Sequence, residues 1–161
     1  MKKIPLTQGK FVVVDDCDYD WLIRHKWYAR KENRTYYAGR KSGKVISQMH
    51  REILGLKAGD KRQIDHINHN GLDNRRSNLR ICSFAENHRN RQLNRRKHTS
   101  KYKGVCWYKA GCKWRAEIRC DYKLFFLGYF DSEIDAAKAY DRAARKLFGE
   151  FACLNFSKGD K

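Results

Sequence analysis

The sequence predicts an α+β protein that consists of two small modules joined by a basic linker. Residues 63–90 are predicted to form a strand, a loop, a short strand and a helix, because Ser83 and Glu86 make a capping box at the helix start. Residues 102–156 are predicted to form three antiparallel strands followed by one amphipathic helix. Between the modules the chain is rich in Lys and Arg and poor in apolar side chains, which is typical of a linker.

The charge of the chain limits its classes of partner. The 161 residues contain 36 Lys and Arg against 18 Asp and Glu, which gives a net charge of +18. A chain this basic is expected to bind a polyanion, and double-stranded DNA is the partner predicted here. RNA-binding structural proteins share the same charge balance, so this class stays open on charge alone.

Two further features of composition bear on the cellular compartment. No apolar run approaches the length of a membrane span, and the N-terminus turns acidic too early for a signal peptide. We therefore expect no membrane partner and a cytoplasmic location, nucleoid-associated, or in the host cell cytoplasm if the protein is phage-encoded. The six cysteines form no C-x-x-C pair, which predicts reduced thiols. A zinc cluster of Cys106, Cys112 and Cys120 is the alternative.

Patterns in the first 55 residues predict alternating strands and helices. Residues 10–14 form an apolar run typical of a buried strand, and Asp18 is predicted to cap a helix over residues 19–27. Residues 35–40 are predicted to form another strand. Apolar residues at a helical period predict a second helix from Val45 to Leu54, ended by Gly55.

The segment 63–90 carries residues suited to a phosphodiesterase that uses one metal ion. Asp65 and His66 are adjacent. Asn78 follows twelve residues after His66, and Asn87 nine residues after that. Asp65 and Asn87 offer oxygen ligands to a hard divalent cation, and His66 offers a neutral imidazole that can take a proton from water. Neighbouring strand residues point to opposite faces, so we expect a bend or a bulge between Asp65 and His66.

The loop over residues 68–74 is rich in turn-forming residues. Asn70 and Asn74 compete with Asn78 for a place in the site, but we interpret both as turn residues. His69 is interpreted as a solvated loop residue or a phosphate contact. Because Asp, Asn and Gly also cluster in ordinary turns, the spacing of the four site residues is the specific part of the pattern.

The run DHINHNGLDNRRSNLRICSFAENHRNR resembles the HNH endonucleases, in particular the HNN-type homing endonucleases of bacteriophages. The resemblance implies a ββα-metal fold in which His66 is the general base. It also implies that Asp65 and Asn87 hold one Mg²⁺ or Mn²⁺ ion, and that the catalytic Asn78 holds the loop and orients His66. The preceding segment, with LTQGKFVVVD and the tripeptide MHR, resembles phage endonucleases as well. His50 of that tripeptide is expected to pack or to support the site.

The second module shows clean periodicity. In residues 113–119, KWRAEIR, every other side chain is apolar, so the other four, Lys113, Arg115, Glu117 and Arg119, are predicted to share the free face of the sheet. Strands are also predicted for KYKGVCW and for residues 123–130. A helix with an apolar stripe is predicted to start near Ser132 and to stop at Gly149.

This module resembles the AP2 DNA-binding domain through YKGV, WRAEIR, LGYFDSEIDAAKAYDRAA and GEFACLNF. The resemblance implies that the sheet sits in a DNA major groove, with Lys103, Arg115 and Arg119 as contacts. Departures from the plant pattern put the plant GC-rich target in doubt for this chain. They lie in the strands at four positions: Cys106, Tyr108, Leu124 and Phe126.

Together these observations predict a site-selective, divalent-metal-dependent DNA endonuclease without an obligatory protein partner. The alternative is a non-catalytic DNA-binding regulator that uses the AP2-like module. The predicted domains are an endonuclease domain with an N-terminal extension over residues 1–92, a linker over 93–101 and an AP2-like domain over 102–157. The linker is expected to follow the phosphate backbone, although a merely solvated charge run is the alternative. The predicted DNA contacts are Arg89, Arg91, Arg95, Arg96, Lys97, Lys103, Lys113, Arg115 and Arg119.

Overall fold

The computed structural model describes residues 1–32, 35–43, 45–57, 59–92 and 99–156. It is a mixed fold in which small antiparallel sheets combine with a few short helices and one long helix, as the α+β prediction requires. The chain divides into two compact units, residues 1–87 and residues 88–161. The predicted domain limits stay predictions, since most of the predicted linker and residue 157 lie outside the described residues. No helix in the described ranges is both long and apolar enough to cross a membrane.

The first unit is built from short elements around one hydrophobic core. Its fully buried side chains include Val12, Val14, Leu22 and Met49. Two strands form a hairpin, three form a second sheet and two form a ribbon. In chain order the elements are β1 (Lys2–Pro5), β2 (Phe11–Val14), α1 (Asp16–Leu22), β3 (Tyr28–Glu32), β4 (Thr35–Ser42), β5 (Val45–Gln48), α2 (Met49–Ile53), β6 (Gln63–His66), β7 (Leu79–Cys82) and α3 (Phe84–Arg89).

The first helix begins earlier than predicted, so the proposed capping role of Asp18 is wrong. Asp15 is the residue before the helix, and Asp18 lies inside it. The buried Asp18 carboxylate accepts hydrogen bonds from Trp21 Nε1 and from two nitrogens of Arg76, at 3.3, 2.8 and 2.8 Å. The ion pair with Arg76 offsets the cost of burying the Asp18 carboxylate, and the local pattern does not reveal this distant partner.

The predicted helix from Val45 to Leu54 is also wrong in its first half. Val45 to Gln48 form β5, which pairs with β4 from Ser42↔Val45 to Gly39↔Gln48. Only Met49–Ile53 are helical. The apolar spacing fits either state, and pairing with a neighbouring strand decides in favour of the strand.

The ribbon and the helix after it follow the predicted order of strand, loop, strand and helix. β6 and β7 pair without a register shift from Gln63↔Cys82 to His66↔Leu79, so the bulge expected at Asp65 is wrong. The chain turns later, at His69, whose φ is 62° and whose N–H donates to the carbonyl of His66 at 2.9 Å. The capping box is confirmed, because Ser83 and Glu86 exchange hydrogen bonds of 2.8 to 3.2 Å.

The loop between β6 and β7 is fixed to β2. The N–H of Val13 donates to the carbonyl of Leu72, and the N–H of Asn74 donates to the carbonyl of Val13, each at 2.8 Å. Arg76 ties the short 3₁₀ turn at 76–78 to α1 through Asp18. A segment that the sequence marks only as a turn-rich loop is therefore part of the folded body of the unit.

The second unit matches its prediction closely. A three-stranded antiparallel sheet, β8 (Val105–Tyr108), β9 (Lys113–Cys120) and β10 (Lys123–Phe130), packs on α4 (Glu133–Phe148). Ser132 caps the helix by accepting from the N–H of Asp135, and Gly149 ends it, both as predicted. Gly104 has φ +77° and lies against Tyr140, where an added Cβ would come within 1.9 Å of the ring. Only glycine fits at this position.

Candidate nuclease site and DNA-binding surface

His66 ends β6 and is buried among side chains from earlier in the chain. Its ring centroid lies 5.1 Å from that of His50 on α2 and 5.6 Å from that of Tyr37 on β4. Burial lowers the pKa of His66 below 6.5, and its hydrogen bond with Asn74 and the charge of Asp65 oppose this shift. The lowered pKa leaves the ring neutral near pH 7, which is the state that can accept a proton.

Asn74 determines which nitrogen of His66 carries the hydrogen. Its Oδ1 lies 2.8 Å from His66 Nε2, and the whole Asn74 side chain is buried. An amide oxygen only accepts, so Nε2 donates and the lone pair of the neutral ring lies on Nδ1. The contact fixes the imidazole in a tautomer that suits a general base. Asn74 is expected from the sequence only as a turn residue, so this contact is a finding of the structure.

Asn78 closes the loop between β6 and β7. Its Oδ1 accepts from the N–H of Asn68 at 3.0 Å. Its Nδ2 donates to Asn68 Oδ1 at 3.0 Å and to the carbonyl of Asp73 at 2.7 Å. These contacts match the loop-holding role that the resemblance implies for Asn78, whereas the hydrogen bond with Nε2 of His66 comes from Asn74.

Asp65 is buried and lies directly opposite Arg80 in the ribbon. Arg80 Nε and Nη2 both donate to Asp65 Oδ2, at 2.9 and 2.6 Å. A buried carboxylate needs such a partner, because desolvation of an unpaired charge is costly. Since the register is continuous, Asp65 and His66 point to opposite faces of the ribbon.

The face that carries Asp65 also meets α3. Cys82 shares this face, and its thiol accepts a hydrogen bond from the backbone of Asn87. Burial raises the pKa of Cys82 to about 11, so the thiol stays protonated and is a poor metal ligand. The predicted ligands Asp65 and Asn87 offer one carboxylate oxygen and one amide oxygen. This donor set fits Mg²⁺ or Mn²⁺, which bind few protein oxygens and keep several waters.

A metal site of another kind is not supported by the described part of the chain. Within it, no group of three or more His, Cys, Asp or Glu side chains is arranged to hold a metal ion. Cys106, Cys112 and Cys120, the alternative zinc ligands, do not form such a group, and none of the three is in a disulfide.

The outer face of the second unit's sheet carries three of the predicted DNA contacts, Lys113, Arg115 and Arg119, all on β9. Two of them have acidic partners. Lys113 Nζ lies 3.2 Å from Asp131, and Arg115 forms an ion pair with Glu117. Arg119 is exposed on the same face. The predicted placement of Glu117 on this face brings it within reach of Arg115.

The ammonium group of Lys103 contacts backbone carbonyl groups of the protein. Its ammonium donates to the carbonyl oxygens of Arg89 and Arg91, each at 2.7 Å. Burial lowers the pKa of Lys103. A cation at the C-terminal end of a helix satisfies carbonyls that lack helical partners. The Lys103 ammonium is thus engaged with backbone carbonyls in this structure, and its contact with DNA stays a prediction.

The remaining predicted DNA contacts differ in their surroundings. Arg89 donates to Asp121 at 2.8 Å, and its guanidinium lies 5.2 Å from the ring centroid of Phe148. Arg91 is exposed, with one nitrogen 3.4 Å from Nε2 of His88. The predicted contacts that lie outside the described residues are Arg95, Arg96 and Lys97.

Three residues of this site are missed by the sequence patterns. Arg80 has a usable signal, because pairing the two predicted strands places it opposite Asp65. Asn74 has only a weak signal, since it is one of several asparagines in one loop. Tyr37 has none, because its contact with His66 depends on the packing of a distant strand.

Two known protein families match separate parts of the chain. The HNH endonuclease family matches residues 48–89, and the AP2 domain matches residues 100–150. A relative spans both: an uncharacterized HNH endonuclease of Acanthamoeba polyphaga mimivirus is 30% identical over 152 residues. That match covers 92% of this chain and 76% of the relative.

Plant transcription factors match the second unit. The AP2-like ethylene-responsive transcription factor TOE2 of Arabidopsis thaliana is 43% identical over 65 residues, which cover 40% of this chain and 13% of that protein. The dehydration-responsive element-binding protein 2D of the same plant is 52% identical over 56 residues, which cover 34% of this chain and 27% of that protein. These matches concern one small part of much longer proteins.

The packing of His50 predicts a pH-dependent stability. His50 Nδ1 is buried and has no hydrogen-bond partner among the described residues. Burial, and after it the nearby His66, lowers the pKa of His50 to about 3. In the unfolded chain His50 binds a proton near pH 6.5, whereas in the folded protein it stays neutral at that pH. The contribution of His50 to the free energy of unfolding is therefore complete above pH 6.5. As the pH drops below that value, the free energy of unfolding falls by up to about 1.4 kcal/mol per pH unit.

We expect His50→Leu to reduce this slope, measured as the free energy of unfolding between pH 7 and pH 5. The leucine keeps the volume and removes an unpartnered polar atom, so its stability at pH 7 should stay within about 1 kcal/mol of the parent. Carboxylates titrate mostly below this range and do not obscure the comparison. Equal slopes for parent and variant would show that His50 is protonated in the folded protein.

Proposed function

Because this chain belongs to the HNH endonuclease family and contains an AP2 DNA-binding domain, we propose that it is a site-selective DNA endonuclease that depends on a divalent metal ion. The observation that carries the proposal is the state of His66. Its ring is buried and neutral, and the contact with Asn74 leaves the lone pair on Nδ1. A general base needs this combination of protonation state and fixed orientation.

The proposed reaction is hydrolysis of one phosphodiester bond in a ββα-metal site. His66 Nδ1 takes a proton from a water molecule as the water oxygen bonds to phosphorus. The bond from phosphorus to the leaving sugar oxygen then breaks, and that oxygen takes up a proton from solvent. Asp65 and Asn87 would hold Mg²⁺ or Mn²⁺, which stabilises negative charge on the phosphate and on the leaving oxygen. Arg80 holds the Asp65 carboxylate in place.

The AP2 domain and the linker supply DNA binding. We propose that the outer face of the β8–β9–β10 sheet enters a major groove, where Arg115 and Arg119 contribute contacts, and that the linker follows the phosphate backbone. One active site per chain implies nicking, or a double-strand cut by two sequential nicks or by a dimer. We expect the protein to act in the compartment that holds its DNA substrate. If the protein is phage-encoded, that compartment is the cytoplasm of the host cell.

Cleavage of DNA that carries a selected binding site tests the nuclease. We expect the parent to nick such a plasmid with Mg²⁺ or Mn²⁺, and His66→Ala to lose at least about a hundredfold in rate while it still binds. His25→Ala, a histidine elsewhere in the same unit, is the matched control and should cut normally. A parent that binds its site but cuts under neither metal would favour the non-catalytic regulator.

Two substitutions at Asn74 separate orientation of the base from general folding. Asn74→Leu removes the acceptor for His66 Nε2, so kcat should fall by about tenfold or more with little change in DNA affinity. Asn74→Asp keeps an acceptor and should restore much of the rate. Its carboxylate favours the charged ring, so the acidic limb of the pH–rate profile should move to higher pH. Similar rates and profiles for both variants would remove Asn74 from the orienting role.

The linker proposal predicts a change in salt dependence. Replacing Arg95, Arg96 and Lys97 by glutamine should lower the slope of log Kd against log salt by about 2.7, if each contacts one phosphate. The control replaces three exposed lysines of the first unit, Lys3, Lys31 and Lys57, and should change the slope less. An unchanged slope in the linker variant would mean that these charges are only solvated.

A further inference from the structure

The outer face of the second unit's sheet carries an aromatic cluster, defined here as Tyr108, Phe126 and Tyr129. Their exposed fractions are 38%, 57% and 46%. Tyr108 and Tyr129 stack with ring centroids 5.0 Å apart and planes 30° apart. Phe126 meets Tyr129 edge to face, also at 5.0 Å. A sheet face turned to solvent normally carries polar side chains, so an ordered apolar cluster there indicates a binding surface.

The strand register places this cluster among the predicted DNA contacts. Tyr129 lies opposite Arg115, Phe126 lies opposite Glu117, and Tyr108 lies opposite Lys113. The other face of the sheet carries the buried side chains that pack on α4. The cluster therefore lies on the side of the sheet away from the helix, which is the side that the proposed function turns toward DNA.

Of the three predicted basic contacts on this face, the exposed Arg119 can reach bases, and the other two are already engaged. Lys113 and Arg115 are already paired with acidic side chains of the same unit, which compete with any base for their hydrogen bonds. The three rings, in contrast, form a continuous apolar surface. This face therefore offers an apolar feature of the DNA a binding surface beside the contacts proposed for Arg115 and Arg119.

The major groove has one prominent apolar feature, the 5-methyl group of thymine. The rings of Tyr108 and Tyr129 are stacked face to face, and Phe126 packs edge to face with Tyr129. The cluster therefore presents ring edges as well as ring faces. Such a surface fits methyl groups better than it fits the flat faces of unstacked bases, which need an open ring face.

We propose that the aromatic cluster recognises thymine 5-methyl groups in the major groove and so biases this endonuclease toward sites with A·T pairs at the cluster. The inference rests on the proposed DNA-binding role of the sheet, but not on catalysis. It adds residues that determine specificity and names the chemical group that they contact. It also gives a role to Tyr108 and Phe126, which depart from the plant AP2 pattern.

Uracil in place of thymine is the direct probe, because it removes the methyl group and leaves the base pair intact. Preferred duplexes are first selected from random DNA with the full chain in EDTA, which prevents cutting. Each thymine in the footprint is then replaced by uracil, and affinity is measured. We expect the parent to lose about fourfold in affinity for each contacted methyl group, corresponding to roughly 0.8 kcal/mol.

Two variants connect this loss to the cluster. Phe126→Ala should bind the thymine duplex more weakly than the parent and should lose part of the discrimination against uracil. Tyr122→Ala is the matched control, because Tyr122 is a fully exposed aromatic residue in the turn between β9 and β10, outside the cluster. It should keep the discrimination of the parent. Circular dichroism checks that both variants are folded.

Three results would overturn the proposal. The first is equal affinity of the parent for thymine and uracil duplexes at every position. The second is preferential binding of single-stranded DNA that depends on Phe126, which would indicate base stacking. The third is concentration-dependent self-association that Phe126→Ala abolishes without a change in DNA affinity. Failure of the nuclease proposal is a separate result, since a chain that discriminates thymine from uracil in EDTA but never cuts keeps this inference.

Discussion

The side-chain amide of Asn78 is the constraint on which the geometry of the candidate site depends. It forms three hydrogen bonds that close the loop between β6 and β7. The same loop joins the edge of β2 through the backbone of Asn74 and brings that side chain against His66. Most buried polar groups in proteins are paired, and hydrogen bonds in one network strengthen one another. The orientation of the base is therefore a property of the folded loop and not of one local contact.

The continuous register of the β6–β7 ribbon has a chemical consequence. It places the Asp65 carboxylate and the His66 imidazole on opposite faces at the end of one strand. In phosphodiester hydrolysis the attacking water and the leaving oxygen lie on opposite sides of phosphorus. The proposed roles, with His66 as the base on one face and Asp65 as a metal ligand on the other, suit that geometry when the phosphate approaches the end of the ribbon. A bulge that brought both side chains to one face, as expected from the sequence, would place them less favourably.

Periodic patterns predicted the second unit well, because its strands and helix are long and each buries one side. The alternation in residues 113–119 and the capping Ser132 both match β9 and α4. In the first unit the elements are short and their partners distant. Val45 and Met49 fit a helical period, yet the first lies in a strand because β4 offers hydrogen bonds to it. Spacing identified Asp65, His66, Asn78 and Asn87 as a set, and their chemical roles stay predictions.

What the sequence could not reveal was the direction of individual side chains. Asn74 and Asn78 are chemically identical, and only the folded loop shows which one meets the imidazole. The AP2 resemblance implies a DNA contact for Lys103, and only the folded chain shows that its ammonium also contacts backbone carbonyls. Tyr37 reaches His66 from a strand that lies about thirty residues earlier in the chain. Composition and spacing carry no information about such contacts, because burial and pairing arise only on folding.

Affinity for DNA and specificity for a DNA sequence are expected to come from different features of this protein. A net charge of +18 gives strong attraction to any duplex. This attraction weakens steeply as the salt concentration rises, because the release of counterions from the phosphates then contributes less free energy. Such attraction does not distinguish one sequence from another. Contacts between apolar rings and methyl groups depend little on salt, so they keep their preference when the electrostatic part weakens. Because Lys113 and Arg115 already have acidic partners within the unit, we expect the aromatic cluster to contribute more to selectivity on this face. Selectivity should therefore rise with salt concentration while total affinity falls.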